Sequence, residues 1–156
     1  MISFLLILAT AMSSPNFSGD WILEKRKNLD AYLQSRGHGI IVTKLINCTQ
    51  NAMRIQQNGA DFVISTTLTP CIGPSKKVVR KFKADGKTVA HGKMYNDVKV
   101  HWIAHLTDEK MKVEATTPKG TEYVTREFVD GKIIQKHWIK DKNIVMTQYF
   151  TQKLDQ

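Results

Sequence analysis

From Met53 to the C-terminus the sequence breaks into short runs of alternating polar and apolar residues, each ended by a turn signal. Side chains of a strand point alternately to its two faces, so such runs, joined by short turns, fold as an antiparallel meander. The runs are MRIQQ, DFVIST, KVVRKF, VKVHWIAHL, KMKVEAT, TEYVTREF, KIIQKHWI and IVMTQYFTQKL. Between them stand, among others, Asn58-Gly59, Ala84-Asp85-Gly86, Asp108-Glu109, Pro118-Lys119-Gly120, Asp130-Gly131 and Asp141-Lys142-Asn143. The Asn58-Gly59 pair supplies the positive φ that a two-residue hairpin turn needs. About eight strands, with no helix among them and no Rossmann, P-loop or nucleophile-elbow signature, specify an all-β sandwich or a closed up-and-down barrel.

Two strands carry a polar residue in an apolar row. In EYVTREF, alternation puts Val124, Arg126 and Phe128 on one face and Tyr123, Thr125 and Glu127 on the other. In IVMTQYF it groups Ile144, Met146, Gln148 and Phe150. A buried guanidinium without a partner is costly. Arg126 and Gln148 therefore either anchor a ligand in an internal cavity, or meet each other or water inside a filled core.

Ahead of the meander, residues 28–36 (NLDAYLQSR) place Leu29, Tyr32 and Leu33 on one helical face, closed by Gly37 and Gly39. Residues 39–46 (GIIVTKLI) suit either a second short helix or a strand. The chain opens MISFLLILATAMSS, apolar and ending in small residues, which reads as a secretory signal over residues 1–13 with the folded domain over 14–156. No Lys or Arg precedes the apolar run, and Met12 could start a shorter cytoplasmic chain instead. On the secretory route Asn16 and Asn47 are glycosylation acceptors. Two cysteines, Cys48 and Cys71, leave a single bridge open in an oxidising compartment.

The 156 residues carry 23 Lys and Arg against 14 Asp and Glu, a formal charge of +9. These cations are spread from Lys25 to Lys153, as on a solvated surface, rather than massed as a nucleic-acid footprint. Trp21, Trp102 and Trp138 read as barrel residues before they read as a stacking platform. His101 and His105 share a strand face about 13 Å apart by strand rise, too far to ligate one metal. No nucleophile has a base and an orienting partner, so the expectation is a protein with no catalytic residue, no metal and no cofactor.

The segment Pro15-Asn16-Phe17-Ser18-Gly19-Asp20-Trp21 is similar to the opening of cellular retinoic-acid-binding proteins. Gly19-x-Trp21-x-Leu23, followed by Asn28-Leu29-Asp30-x-Tyr32-Leu33, resembles the signature of the intracellular lipid-binding (fatty-acid-binding) family, with Leu29 where an aromatic is usual. Thr125-Arg126-Glu127-Phe128-Val129-Asp130-Gly131-Lys132 and Thr147-Gln148-Tyr149-Phe150 look like that family's last two strands. The resemblance spans residues 17–154 and weakens between Thr69 and His91, around Pro70 and Pro74.

This resemblance implies a ten-stranded antiparallel up-and-down barrel, lipocalin-like, with a helix-turn-helix lid over an internal lipid cavity. With a leader, the chain resembles the secreted fatty-acid-binding proteins of nematodes. The family's carboxylate anchor is an Arg on the penultimate strand with an Arg-x-Tyr on the last. Arg126 matches the first, while Gln148 and Phe150 replace the second, the Gln-x-Phe of the family's retinol binders. The implied ligand-binding residues are thus Arg126, Gln148 and Phe150, and the implied ligand a long-chain fatty acid or a retinoid. A hairpin two residues longer than usual leaves open a bulge that turns Tyr149 inward. The expected state is a monomer that binds no nucleic acid, with Arg26, Lys27, Arg36 and Lys44 on or near the lid drawing it to anionic membranes. A basic interaction module with a filled barrel is the remaining alternative.

Overall fold

The computed structural model describes residues 14–94 and 97–154, and the leader expected over residues 1–13 lies outside them. In chain order the elements are β1 (Gly19–Lys27), α1 (Leu29–Ser35), α2 (Ile40–Asn47), β2 (Gln50–Asn58), β3 (Asp61–Thr69), β4 (Lys76–Lys83) and β5 (Asp85–Lys93), then β6 (Lys99–Leu106), β7 (Lys110–Thr117), β8 (Gly120–Val129), β9 (Lys132–Ile139) and β10 (Val145–Gln152). All ten strands form one sheet in the order β4-β3-β2-β1-β10-β9-β8-β7-β6-β5. Every pairing is antiparallel, and the β1–β10 ladder joins the first strand to the last. That ladder curls the meander into a nearly closed barrel, and the one remaining seam runs between β4 and β5.

Alternation found eight of the ten strands. It missed β1, whose second half is Glu24-Lys25-Arg26-Lys27, and β5, in which only Ala90 is buried. A strand with little apolar side chain to bury leaves no period-two signal. The β2–β3 turn also lies one residue later than expected, since Asn58 pairs with Asp61 and Gly59 (φ 59°) and Ala60 make the bend. Between β8 and β9, Asp130 and Gly131 both take positive φ, as a type I′ hairpin requires.

Helix α1 buries Leu29, Tyr32 and Leu33, the face its spacing expected. The ambiguous segment after it is helical, and α2 buries only Thr43, leaving Ile40 and Ile41 71% and 76% exposed. Cys48, the C-cap of α2, is disulfide-bonded to Cys71 in the β3–β4 loop, so the bridge that the sequence left open is made.

Two apolar clusters bracket the interior. The larger, at the closed end of the barrel, includes Phe17, Trp21, Phe62, Met111, Ile133 and Phe150. Each such side chain contributes about 1.5–3 kcal/mol by leaving water. The Trp21 indole N–H donates to the Phe17 carbonyl at 2.9 Å, so this polar edge is not stranded in the core. The smaller cluster packs Leu29, Tyr32 and Leu33 of α1 on Met146 of β10 and seats the lid on the barrel mouth.

Candidate functional site

Between the two clusters lies a cavity of about 450 Å³. Its wall includes Met53, Ile64, Val113, Val124, Met146 and Phe150. A small-molecule site commonly has this size and apolar character, with a few polar groups placed to orient the ligand.

Four of the polar groups on its wall, Arg126, Gln135, His137 and Gln148, come from three adjacent strands. The register sets Arg126 of β8 opposite Gln135 of β9, and Gln135 opposite Gln148 of β10. Cross-strand partners on one face lie close enough to bond, and these do. Arg126 Nε donates to Gln135 Oε1 at 2.5 Å, and Gln135 Nε2 donates to Gln148 Oε1 at 3.0 Å. His137, two residues further along β9 on the same face, brings its Nε2 within 2.6 Å of Gln135 Nε2 and 3.1 Å of Gln148 Oε1.

The polar row continues to the lid. His137 Nδ1 stands 3.4 Å from Glu122 Oε1 on β8, and Nη1 of Arg36, the C-cap of α1, stands 3.1 Å from Glu122 Oε2. The Tyr32 hydroxyl, also from α1, donates to Glu122 Oε1. A carboxylate facing Nδ1 assigns the imidazole proton there, leaving Nε2 to accept from Gln135. Burial alone would raise the Glu122 carboxyl, but the His137 hydrogen bond, the Arg36 charge and the Tyr32 hydroxyl outweigh it and hold the group below its ordinary value. Burial, followed by the adjacent Glu122 charge, pushes the Tyr32 phenol well above its usual range. A chain of hydrogen bonds and ion pairs thus runs from Gln148, through Gln135, His137 and Glu122, to Tyr32 and Arg36 of the lid.

Arg126, Gln148 and Phe150 all line the cavity, with Phe150 only 1% exposed, and Gln135 links the first two. Tyr149 does not turn inward. The β9–β10 register is regular, the extra residue of the β1–β10 ladder sits in β1 between Leu23 and Lys25, and Lys25 Nζ lies 4.8 Å from the Tyr149 ring centroid on the outer face. Two of the four cations expected on the lid are engaged inward or locally: Arg36 pairs with Glu122, and Arg26 Nη2 donates to the Thr49 carbonyl at 2.9 Å. Trp21 and Trp102 are buried, while Trp138 stacks on Tyr123, so the tryptophans share no platform.

Gln135, His137 and Glu122 were missed. Alternation along KIIQKHWI does put Ile133, Gln135, His137 and Ile139 on one face, but Ile134 and Trp138 make the other face apolar too. The inner face of β9 is therefore not marked by hydropathy alone.

No protein-family model matches the chain. By sequence it is 27% identical over 139 residues to fatty acid-binding protein type 3 of Fasciola hepatica, covering 83% of this chain and 94% of that protein. The chain is thus similar in sequence to a fatty acid-binding protein over most of its length. It is also 26% identical over 141 residues to sodium/calcium exchanger regulatory protein 1 of Doryteuthis pealeii, covering 90% and 98% of the two chains. Among solved structures, the extracellular fatty acid binding protein As-p18 superposes with a TM-score of 0.74 at 15% identity, covering 88% of this chain and 96% of that one. The bracketed cavity, with its polar row, is the part of the chain suited to holding a hydrophobic ligand.

Proposed function

We propose that the chain is a carrier that holds one long-chain fatty acid in the barrel, with the carboxylate at Arg126 and the tail along the apolar wall. The carrying observation is the position of Arg126: a guanidinium on the wall of a cavity that is apolar over much of its surface, its Nε oriented by Gln135 and the polar row of β8, β9 and β10 beside it. Its planar fork of donors matches a carboxylate, and a hydrogen bond to a charged group adds about 1.5–3 kcal/mol net. Burying a sixteen-carbon tail contributes a gross gain of about 12 kcal/mol at 0.8 per CH₂, before association costs are subtracted. The tail supplies affinity and Arg126 selects the head group.

Gln148 and Phe150 favour a second reading. An amide and a phenyl group stand where the family's acid binders carry Arg and Tyr, and the Gln135–His137–Gln148 cluster suits a hydroxyl, as on retinol. Displacement of a fluorescent fatty acid by palmitate, by the corresponding alcohol and by retinol separates the two. Palmitate should compete best; preference for the alcohol or retinol would replace the acid by a neutral head group.

An extracellular setting is supported by the Cys48–Cys71 bridge, since such bonds persist in oxidising compartments. Transient membrane contact during ligand transfer is supported by the outward Ile40 and Ile41 of α2, beside the exposed Lys44.

A further inference from the structure

Strands β4 and β5 are consecutive in sequence and yet share no ladder. The N–H of Ala84, between them, goes to the Ala60 carbonyl, and its own carbonyl accepts from Leu106, so the linking residue is tied to β3's hairpin and to β6. Away from that link a cavity of about 600 Å³ opens between the two strands. Lys76, Lys77, Arg80 and Lys81 of β4 and His91 and Lys93 of β5 line it. Asp97 is the one carboxylate among the described lining residues. Arg80, Met94 and Trp102 also border the ligand cavity and form the partition between the two spaces.

Two properties of this seam point to the same occupant. The first is charge: among the described residues, Lys76, Lys77, Lys81 and Lys93 form no salt bridge. The second is backbone: β4 and β5 are the two ends of the sheet, so each has an edge whose N–H and C=O groups have no strand partner. A small anion or an anionic bilayer would answer the charge and leave both edges unpaired. A polypeptide strand brings N–H and C=O groups of its own, and one rich in Asp and Glu answers both. Between Lys77 and Lys81, Val79 is 52% exposed, so the outer face of β4 offers an apolar contact between two charges.

We propose that the β4–β5 seam is a docking site for an acidic, extended segment of a partner protein, which adds to the sheet as a strand along β4. Lysines on a sheet edge deter pairing with neutral or basic edges, and the same lysines select an acidic one. A second copy of this chain is a poor occupant, because two molecules of formal charge +9 repel. The seam's lysines lie outside the lipid cavity, so the proposal stands apart from the identity of the lipid.

The test uses the purified protein and a fluorescein-labelled peptide, about the length of β4, that alternates Glu with Val. Fluorescence anisotropy should report binding, and amide chemical-shift changes should concentrate in β4 and β5. The double variant Lys77→Glu/Lys81→Glu should bind about tenfold or more weakly and should gain affinity for a peptide alternating Lys with Val, with fatty-acid affinity unchanged. A peptide of equal charge with proline at the Val positions loses every second backbone N–H, and with them the donors along one edge of the strand, and should bind far more weakly. Equal binding of the proline peptide or of inorganic polyphosphate would reduce the seam to a charge patch and overturn the proposal. So would preference for phosphatidylserine vesicles, or binding indifferent to the double variant.

Discussion

Glu122 of β8 and Arg36, the C-cap of α1, meet at 3.1 Å across the mouth of the barrel, and Tyr32 of that helix donates to the same carboxylate. Through His137 that carboxylate is one step from the polar row around Arg126. The lid is thus held to the wall by groups continuous with the proposed head-group site.

Removing Arg126 should cost the acid ligand its charged partner. Arg126→Met is expected to weaken palmitate binding by about 1.5–3 kcal/mol, tenfold to somewhat over a hundredfold in Kd. Binding of the corresponding alcohol should change far less. Titration calorimetry with both ligands checks the difference.

Opening the latch should act on rate. Arg36→Met removes the lid's charge from Glu122 and should speed ligand release by about tenfold, in stopped-flow exchange into vesicles, with a smaller effect on equilibrium affinity.

The Glu122 carboxyl is held below its ordinary value of 4.5 in the folded protein. Such a group stabilises the fold above its unfolded pKa and loses that contribution as pH falls through the lower, folded value. Glu122→Gln should therefore be less stable than the natural chain by a constant amount, about 1–3 kcal/mol, near neutral pH. The gap should close progressively below about pH 4.5. Urea unfolding across that range measures it, and a gap that widens on acidification would contradict the assignment.

The Cys48–Cys71 bridge closes a loop with a sequence separation of 23, tying α2 to the β3–β4 loop. In the chain-entropy account it is worth about 3 kcal/mol, so Cys48→Ala/Cys71→Ala should unfold at correspondingly lower denaturant. Since α2 buries only Thr43, the same variant should show faster amide exchange in α2 than elsewhere in the barrel.

With Arg26 and Arg36 engaged and Lys27 Nζ 5.4 Å from the Tyr149 ring centroid, Lys44 is the one of the four expected lid cations left wholly to meet a membrane. Transfer of fatty acid to acidic vesicles should be faster than to neutral ones and slow with added salt. Ile40→Ser/Ile41→Ser should slow it as well; rates indifferent to lipid charge and salt would remove the membrane from the account.

How much could be read beforehand follows from which side chains had to be buried. Arg126 and Gln148 were legible because strict alternation left each as the polar member of an inward row. Tyr32 and Leu33 were legible as a buried helical face, but the partner of the Tyr32 hydroxyl lies 90 residues away, across a fold closed by long-range pairing. Gln135 and His137 were hidden by a strand apolar on both faces, and β5 by having almost nothing apolar to show. The disulfide depends on Cα atoms 5.7 Å apart, which spacing in sequence does not specify. Family resemblance, rather than periodicity, settled the ten-stranded count and the lid.

The most direct measurement is native mass spectrometry of the purified protein with added palmitate, followed by the same experiment on Arg126→Met. The account predicts a one-to-one complex that survives transfer to the gas phase and is strongly depleted in the variant. A barrel that takes up no fatty acid, or takes it up equally with and without Arg126, would contradict it.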